Sequence, residues 1–377
     1  MNIDNVIARE FPQEEGLVYM NHAAVAPWPK RTVDAVREFA EENVRLGAVN
    51  YRQWAEKESV LREQIRKLIN AASVDEIALV KNTSEALSMV ASGLGWKIGD
   101  NVVSTDQEFP SNRIPWEAQP GVEIRQVPIN LLDEPEAALI NSCDDRTRVM
   151  SVSSVQFGTG LKLDLEPLGK FCRSANILFC IDAIQSIGAH KLDVEAIQAD
   201  FVMADAHKWM LGPEGIALFF STAKAREQLC LHEFGWHMVE NQGDYDTQEW
   251  QIAASARRFE CGSPNMLGIH ALSASLSLFE DIGMETIEDR LRGHVDILME
   301  NLSQDNRFEL LTPLSQTRRA GIVTFRLQNH DMERLHRELL ARNIICAHRC
   351  GGIRLSPHFY MDQEKIYNIL EILSIII

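Results

Sequence analysis

The sequence predicts an α/β fold: a large domain around a mostly parallel sheet, with a smaller α/β lobe at the C-terminal end. Three observations carry this. Short apolar runs of four to seven residues recur along residues 77–220, helical patterns separate them, and several runs end abruptly in polar or Gly-rich turns. Strands joined through helices are crossover units, and runs apolar throughout belong to strands buried on both faces.

In chain order, a short amphipathic start precedes Gly16-Leu-Val-Tyr-Met20 and Asn21-His-Ala-Ala24. Apolar residues at helical spacing (Val33, Val36, Ala40, Val44, then Leu61, Ile65, Leu68, Ile69) predict two helices. Strands follow at Ile77–Val80, Asn101–Thr105, Val122–Val127, Val149–Val155, Ile177–Ile181, Phe201–Ala204 and Ile216–Phe220. The polar segment His232–Arg258 reads as a functional or interface loop. Helices at Leu267–Phe279 and Ile287–Leu302, a strand at Gly321–Leu327, a helix at Met332–Ala341, a strand at Ile353–Ser356 and an apolar last helix ending at Ile377 complete the second lobe. The expected division is 16–265 for the large domain, with 1–15 and 266–377 forming the small one.

Composition narrows the partners. The 377 residues are 45% hydrophobic and 24% charged, as in ordinary soluble domains. A net charge of -17 argues against nucleic acid and anionic membranes. No apolar stretch approaches membrane-spanning length. Seven cysteines without C-x-x-C pairing fit a reducing cytoplasm.

Four features could carry chemistry. Lys208 follows a buried strand, where desolvation lowers an amine's pKa and suits it to attack a carbonyl. Asp182 stands at another strand's C-terminal end, the edge where open α/β sheets bind ligands. Thr83 and Ser84 begin a helix, offering N–H groups and hydroxyls to a phosphate, although Asn82 and Glu85 also read as an ordinary helix cap. Arg354 can grip a carboxylate with two parallel bonds. Each has a plain reading alone: a surface lysine, a turn-capping Asp, a cap, a surface Arg. Together they match pyridoxal 5'-phosphate, which needs an amine for its aldehyde, a carboxylate for its ring nitrogen, donors for its phosphate and a flat neighbour, for which Phe109 is placed. A nicotinamide enzyme would need G-x-G-x-x-G, and Gly93-Leu-Gly95-Trp-Lys-Ile-Gly99 has the wrong spacing.

Five segments in order, Asn82-Thr-Ser-Glu-Ala86, Asp182-Ala-Ile-Gln185, His207-Lys-Trp-Met-Leu-Gly-Pro-Glu-Gly215, Arg258-Phe-Glu-Cys-Gly-Ser-Pro-Asn265 and Ile353-Arg-Leu-Ser-Pro-His-Phe-Tyr360, resemble the class V aminotransferase family of fold-type I pyridoxal-phosphate enzymes. The resemblance implies that Lys208 holds the cofactor covalently and moves the proton at the substrate Cα, and that Asp182 keeps the ring nitrogen protonated. It assigns His207, Thr83 and Ser84 to the phosphate, with Ser263 reaching that phosphate from the second subunit of a homodimer. Phe109 stacks on the ring, Gln185 and Gln156 bond its phenolic oxygen, Arg354 binds the substrate carboxylate, and Asn21 or His22 lines the mouth. An aminotransferase-type reaction on a small α-amino acid is the leading expectation, with cysteine desulfurase, lyase or epimerase chemistry and a non-catalytic scaffold as alternatives. Two departures stand out. Asp205 replaces the Ser or Thr common in desulfurases, and is expected to point away from a phosphate. Cys350 and Cys346 lie only four and eight residues before Arg354, with no long loop to carry a mobile thiol.

Overall fold

A computed structural model describes residues 3–129 and 132–376, so Ile377 lies outside the described residues. Among the described residues thirteen strands occur in chain order: β1 (Val18–Tyr19), β2 (Ile77–Val80), β3 (Asn101–Thr105), β4 (Glu123–Val127), β5 (Thr147–Ser153), β6 (Leu178–Asp182), β7 (Phe201–Asp205), β8 (Ala217–Ser221), β9 (Phe308–Leu310), β10 (Val323–Leu327), β11 (Ile344–Ile345), β12 (Ala347–Arg349) and β13 (Gly352–Leu355). Seven form the large sheet in the order β2-β8-β7-β6-β5-β3-β4. Only β8 runs against its neighbours, β2 and β7, and the remaining pairings are parallel.

Alternation along the strands explains why this sheet is covered twice. Val103, Met150, Val152, Phe179, Ile181, Val202 and Leu218 enter one apolar cluster. Their neighbours Val102, Val149, Leu178, Cys180, Phe201, Met203 and Phe219 enter another. Successive side chains point to opposite faces, so each unbroken apolar run fills both layers. On one face the helix Leu165–Ala175 begins with Asp164 accepting the Glu166 N–H and stops at Asn176 in the left-handed region (φ 54°).

A third cluster builds the small lobe around the antiparallel sheet β12-β13-β10-β9 and includes Leu298, Phe325, Ile353 and Ile369. The apolar packing changes over at places other than those expected from sequence. The helix Met266–Ile282 lies against the helices Lys30–Leu46 and Tyr51–Leu68, and its Ile269, Leu272 and Phe279 belong to the large-domain cluster. The next helix, Met284–Ser303, sends Leu291, Val295 and Leu298 into the small lobe, so the change falls near Gly283. At the chain's start Val6 and Phe11 pack with the large domain, while Val18 and Met20 join the small one, where β1 pairs with β11. Each helix buries its apolar stripe on whichever core lies beside it.

The edge strand β2 is fastened by an ionic cluster. Arg62 donates to both oxygens of Glu260 at 2.6 and 2.7 Å, to Glu58, and to the Ile77 carbonyl at 2.8 Å. Glu260 in turn accepts the Leu79 N–H at 2.8 Å. Replacing Arg62 by Met strands two buried carboxylates, and a broken buried pair costs about 3–5 kcal/mol. The Arg62→Met protein should therefore unfold at clearly lower denaturant than the parent. An unchanged midpoint would remove the cluster from the stability of this edge.

Candidate active site

The large sheet places its chemistry along one edge. Strands β7, β6, β5 and β3 are adjacent and parallel, and each ends in a site segment. Asp182 is the last residue of β6 and Asp205 of β7, with His207 and Lys208 just beyond; Gln156 follows β5, and Glu108 and Phe109 follow β3. This is where side chains of parallel strands converge on a ligand.

Asp182 is 2% exposed, and its carboxylate accepts the Ile184 N–H at 3.0 Å. Burial raises its pKa, with the neighbouring Glu108 and Asp205 carboxylates adding to the rise, against Lys208 and the Ile184 bond. Lys208 is 8% exposed, and burial lowers its pKa while Asp182 and Asp205 hold it up. The two groups share one dry site, and each is the other's main opposite charge. Its Nζ lies 5.6 Å from the centre of the Phe109 ring, whose edge-to-face partner is Phe157 at 5.2 Å. Arg354 is 2% exposed; its Nη1 donates to the Phe157 carbonyl at 2.7 Å, and burial depresses its pKa to about 10.

The Thr83–Ser84 helix start, expected to hold a phosphate, is tied to the lysine end. Thr83 accepts the Asp205 N–H on Oγ1 at 3.0 Å and donates its own N–H to Asp205 Oδ2 at 3.2 Å. Ser84 Oγ donates to Ser111 Oγ at 2.8 Å, which joins the helix start to the turn carrying Phe109. Asn82 caps the helix through the Glu85 N–H at 2.8 Å, and Glu85 is ion-paired with Lys81, so the expected capping role of this turn is present. Asp205 does not point away, as its replacement of a Ser or Thr had suggested; the Thr83 amide draws it into the corner.

Other assignments shift. His22 is fully buried, with Nδ1 against the Ser356 carbonyl at 2.8 Å and Nε2 against Tyr360 Oη at 2.6 Å. Both ring nitrogens are used, so His22 pins the chain's start to the C-terminal segment instead of lining a mouth; Asn21 beside it keeps a buried Oδ1 free. Gln185 donates to the Ala23 carbonyl at 3.0 Å and accepts Trp209 Nε1–H at 2.8 Å, which leaves one amide hydrogen for a ligand. Gln156 donates to Glu108 at 3.1 Å, and its Oε1 has no partner. Ser263 is exposed in the turn before the helix Met266–Ile282. Sequence reasoning passed over Glu108, which also binds Thr105, Asn112 and Ser153, and Arg349, whose charge is felt at Lys208 and Arg354. A polar residue just past a strand end was the available signal for Glu108.

Buried polar atoms without partners are rare and costly in a folded protein. Among the described residues they include Asn21 Oδ1, Gln156 Oε1, Asp205 Oδ1, His207 Nδ1 and Arg354 Nε, all in these segments. A ligand with a cationic ring nitrogen and an anionic group fits this set. The sequence profile described as Aminotransferase class-V matches residues 18–369. The chain belongs to that family.

Its curated relatives include a probable cysteine desulfurase of Pyrococcus abyssi, 27% identical over 99% of this chain and 98% of that one. A cysteine desulfurase of Yersinia pestis is 30% identical over 83% of this chain and 79% of its own. Among solved structures, the apo cysteine desulfurase of Thermococcus onnurineus superposes with a TM-score of 0.88 at 24% identity, covering 100% of this chain and 98% of that one. The cystine C–S lyase C-DES, in complex with its product cysteine persulfide, gives 0.89 at 22% identity, covering 97% and 99%. The fold of this class V member is that of the fold-type I enzymes, and its cofactor is pyridoxal 5'-phosphate.

Two outcomes follow. Borohydride treatment of the cofactor-loaded protein should fix a covalent adduct that Lys208→Ala loses; an adduct kept at full stoichiometry would place the attachment elsewhere. Burial also depresses His22 and His294 to about 4 and His190 to about 3, below the 6.5 of a free imidazole. Between those values the unfolded chain binds more protons at these histidines, so their contribution to stability is complete above about pH 6.5 and is lost as the pH drops toward 4. Melting midpoints between pH 7.5 and 4.5 should show this decline, and His22→Gln should flatten it. A midpoint that rises on acidification would reverse the assignment.

Proposed function

We propose that this protein cleaves the Cβ–S bond of a cysteine-class amino acid, L-cysteine or its disulfide. Support comes from the curated desulfurase relatives and the structural likeness to a cystine C–S lyase, which favour this reading over transamination. The observation that carries it within the chain is Arg354: a buried guanidinium beside Lys208, with Nε unpaired, ready to take a small amino acid's carboxylate. Bound pyridoxal phosphate supplies an electron sink that stabilises negative charge at the substrate Cα.

The residues divide the work. Arg354 anchors the carboxylate, and Phe109 offers the open face of a ring. Lys208, kept partly neutral by burial, takes the Cα proton; the Cβ–S bond then breaks with its electron pair leaving on sulfur. Asp182 holds the proton on the ring nitrogen. For sulfur uptake the chain has Cys350, in the two-residue turn between β12 and β13. Burial raises this thiol's pKa against the pull of Arg354 and Arg349, and Cys346 is pushed up to about 12. Cys346 is buried and Cys350, though exposed, sits in a tight turn, so in our reading the sulfur leaves on the small molecule. We also place the protein in the cytoplasm as a dimer, with Ser263 serving the phosphate of the second copy.

Supplying L-cysteine, L-cystine and non-sulfur amino acids with a keto acid, then assaying sulfide or persulfide, pyruvate and alanine, tests this. Sulfur release with pyruvate is expected, because a bond whose electron pair leaves on sulfur cannot yield alanine, and Cys350→Ser should keep most of the cystine-cleaving rate. Arg354→Gln should lower kcat/KM by roughly tenfold to a hundredfold, the worth of a charged hydrogen bond. Amino-group transfer without any sulfur product would return the aminotransferase reading.

A further inference from the structure

The corner that takes the cofactor's phosphate contains a carboxylate, which ought to repel it. Asp205 is 8% exposed and makes a reciprocal pair with Thr83, through Asp205 N–H to Thr83 Oγ1 and Thr83 N–H to Asp205 Oδ2. Thr83 opens its helix, so this amide is one of the unpaired donors a phosphate would otherwise use. The second oxygen, Oδ1, is buried without a partner and lies 3.7 Å from His207 Nδ1, which is also buried without a partner. An oxygen that can only accept and a ring nitrogen, facing each other in a dry site, are one small rotation from a hydrogen bond.

We propose that Asp205 is a positioning residue for the cofactor phosphate: it takes the Nδ1–H of His207 and fixes the ring so that Nε2–H is presented to the anion. With Nδ1–H given to the carboxylate, Nε2 can donate only from a doubly protonated ring. An imidazolium then stands between Asp205 and the phosphate, and attraction through that cation outweighs repulsion by the carboxylate behind it. The hydroxyl found in many desulfurases at this position is thereby replaced by a charge-assisted contact, which is the stronger kind. The inference concerns the phosphate alone and holds for any reaction at Lys208.

The sign of one measurement separates the two views. Full-length protein stripped of cofactor is titrated with pyridoxal 5'-phosphate and, separately, with pyridoxal, following visible absorbance. Asp205→Asn is expected to weaken pyridoxal-phosphate binding by roughly tenfold to a hundredfold, leave pyridoxal within about twofold, and move the 31P resonance of the bound cofactor. In a His207→Gln background the same change should add nothing. Tighter phosphate binding would mean that Asp205 only repels; equal loss with pyridoxal, or losses that add in the double variant, would mean it acts without His207. Any of these overturns the proposal. If Asp205→Asn is not recovered folded, 15N spectra of histidine-labelled parent holoenzyme decide, with the His207 signals identified by their loss in His207→Gln. Both nitrogens protonated supports the assignment, and a singly protonated ring refutes it.

Discussion

The site depends on a pair of opposite charges kept out of water. Asp182 and Lys208 are each more than nine-tenths buried, and neither would persist charged without the other, because desolvating an isolated ion costs several kcal/mol. Burial pushes the carboxylate up and the amine down, toward each other, so a proton is cheaply moved between states at this point of the chain. That instability is useful. An amine that is partly neutral can react with a carbonyl, and a carboxylate short of a cation attracts a protonated ring nitrogen.

The pair's geometry comes from the sheet, and the substrate end from a bridge between lobes. Residues 156–160 leave β5, cross to the small lobe and are held there by side chains of its sheet and of the loop after β9: Thr324 donates to the Gly158 carbonyl at 2.6 Å, Thr312 to the Thr159 carbonyl at 2.6 Å, and Arg354 to Phe157. At Gly160, with φ 74°, a Cβ would lie 2.6 Å from the Ile322 carbonyl, so the close approach of the lobes requires glycine. Arg354, the residue proposed to take the substrate carboxylate, is thus fixed to the backbone next to the strand that leads to Gln156, and both lobes share one cleft.

Much of this was legible in the sequence because burial writes itself into apolar runs. Seven strands of the large sheet were readable as such, and Lys208, Asp182 and Thr83 stand out because a polar residue ending an apolar run must have a destination. Long-range pairings were less legible. The β9 strand, with half-buried Phe308 and Leu310 around Glu309, lacks a long apolar run, and the β12–β13 turn lacks a strong hairpin signal. The family resemblance put His22 at the mouth of the site; its partners, Ser356 and Tyr360, lie more than 330 positions away. Asp205 was read as an intruder because a charge next to a phosphate repels it. Only the structure shows that a helix amide and an imidazole await it.

The same turn bears on where the sulfur goes. Cys350 and Gly351 have φ values of 52° and 72°, the left-handed pair that closes a two-residue hairpin, and β12 and β13 are hydrogen-bonded on both sides of it. Gly158 lacks the Cβ that would come within 2.3 Å of the Cys350 sulfur, so the thiol rests against the cleft wall. A thiol that carries sulfur away from a buried site must reach in and then swing out, which calls for slack in the chain that holds it. This turn has almost none: lengthening the travel of Cys350 means breaking ladder bonds beside Arg354, the group proposed to hold the substrate. Rigidity that would serve carboxylate binding therefore works against a sulfur relay through Cys350, which is why the proposed reaction sends the leaving sulfur off with a small molecule.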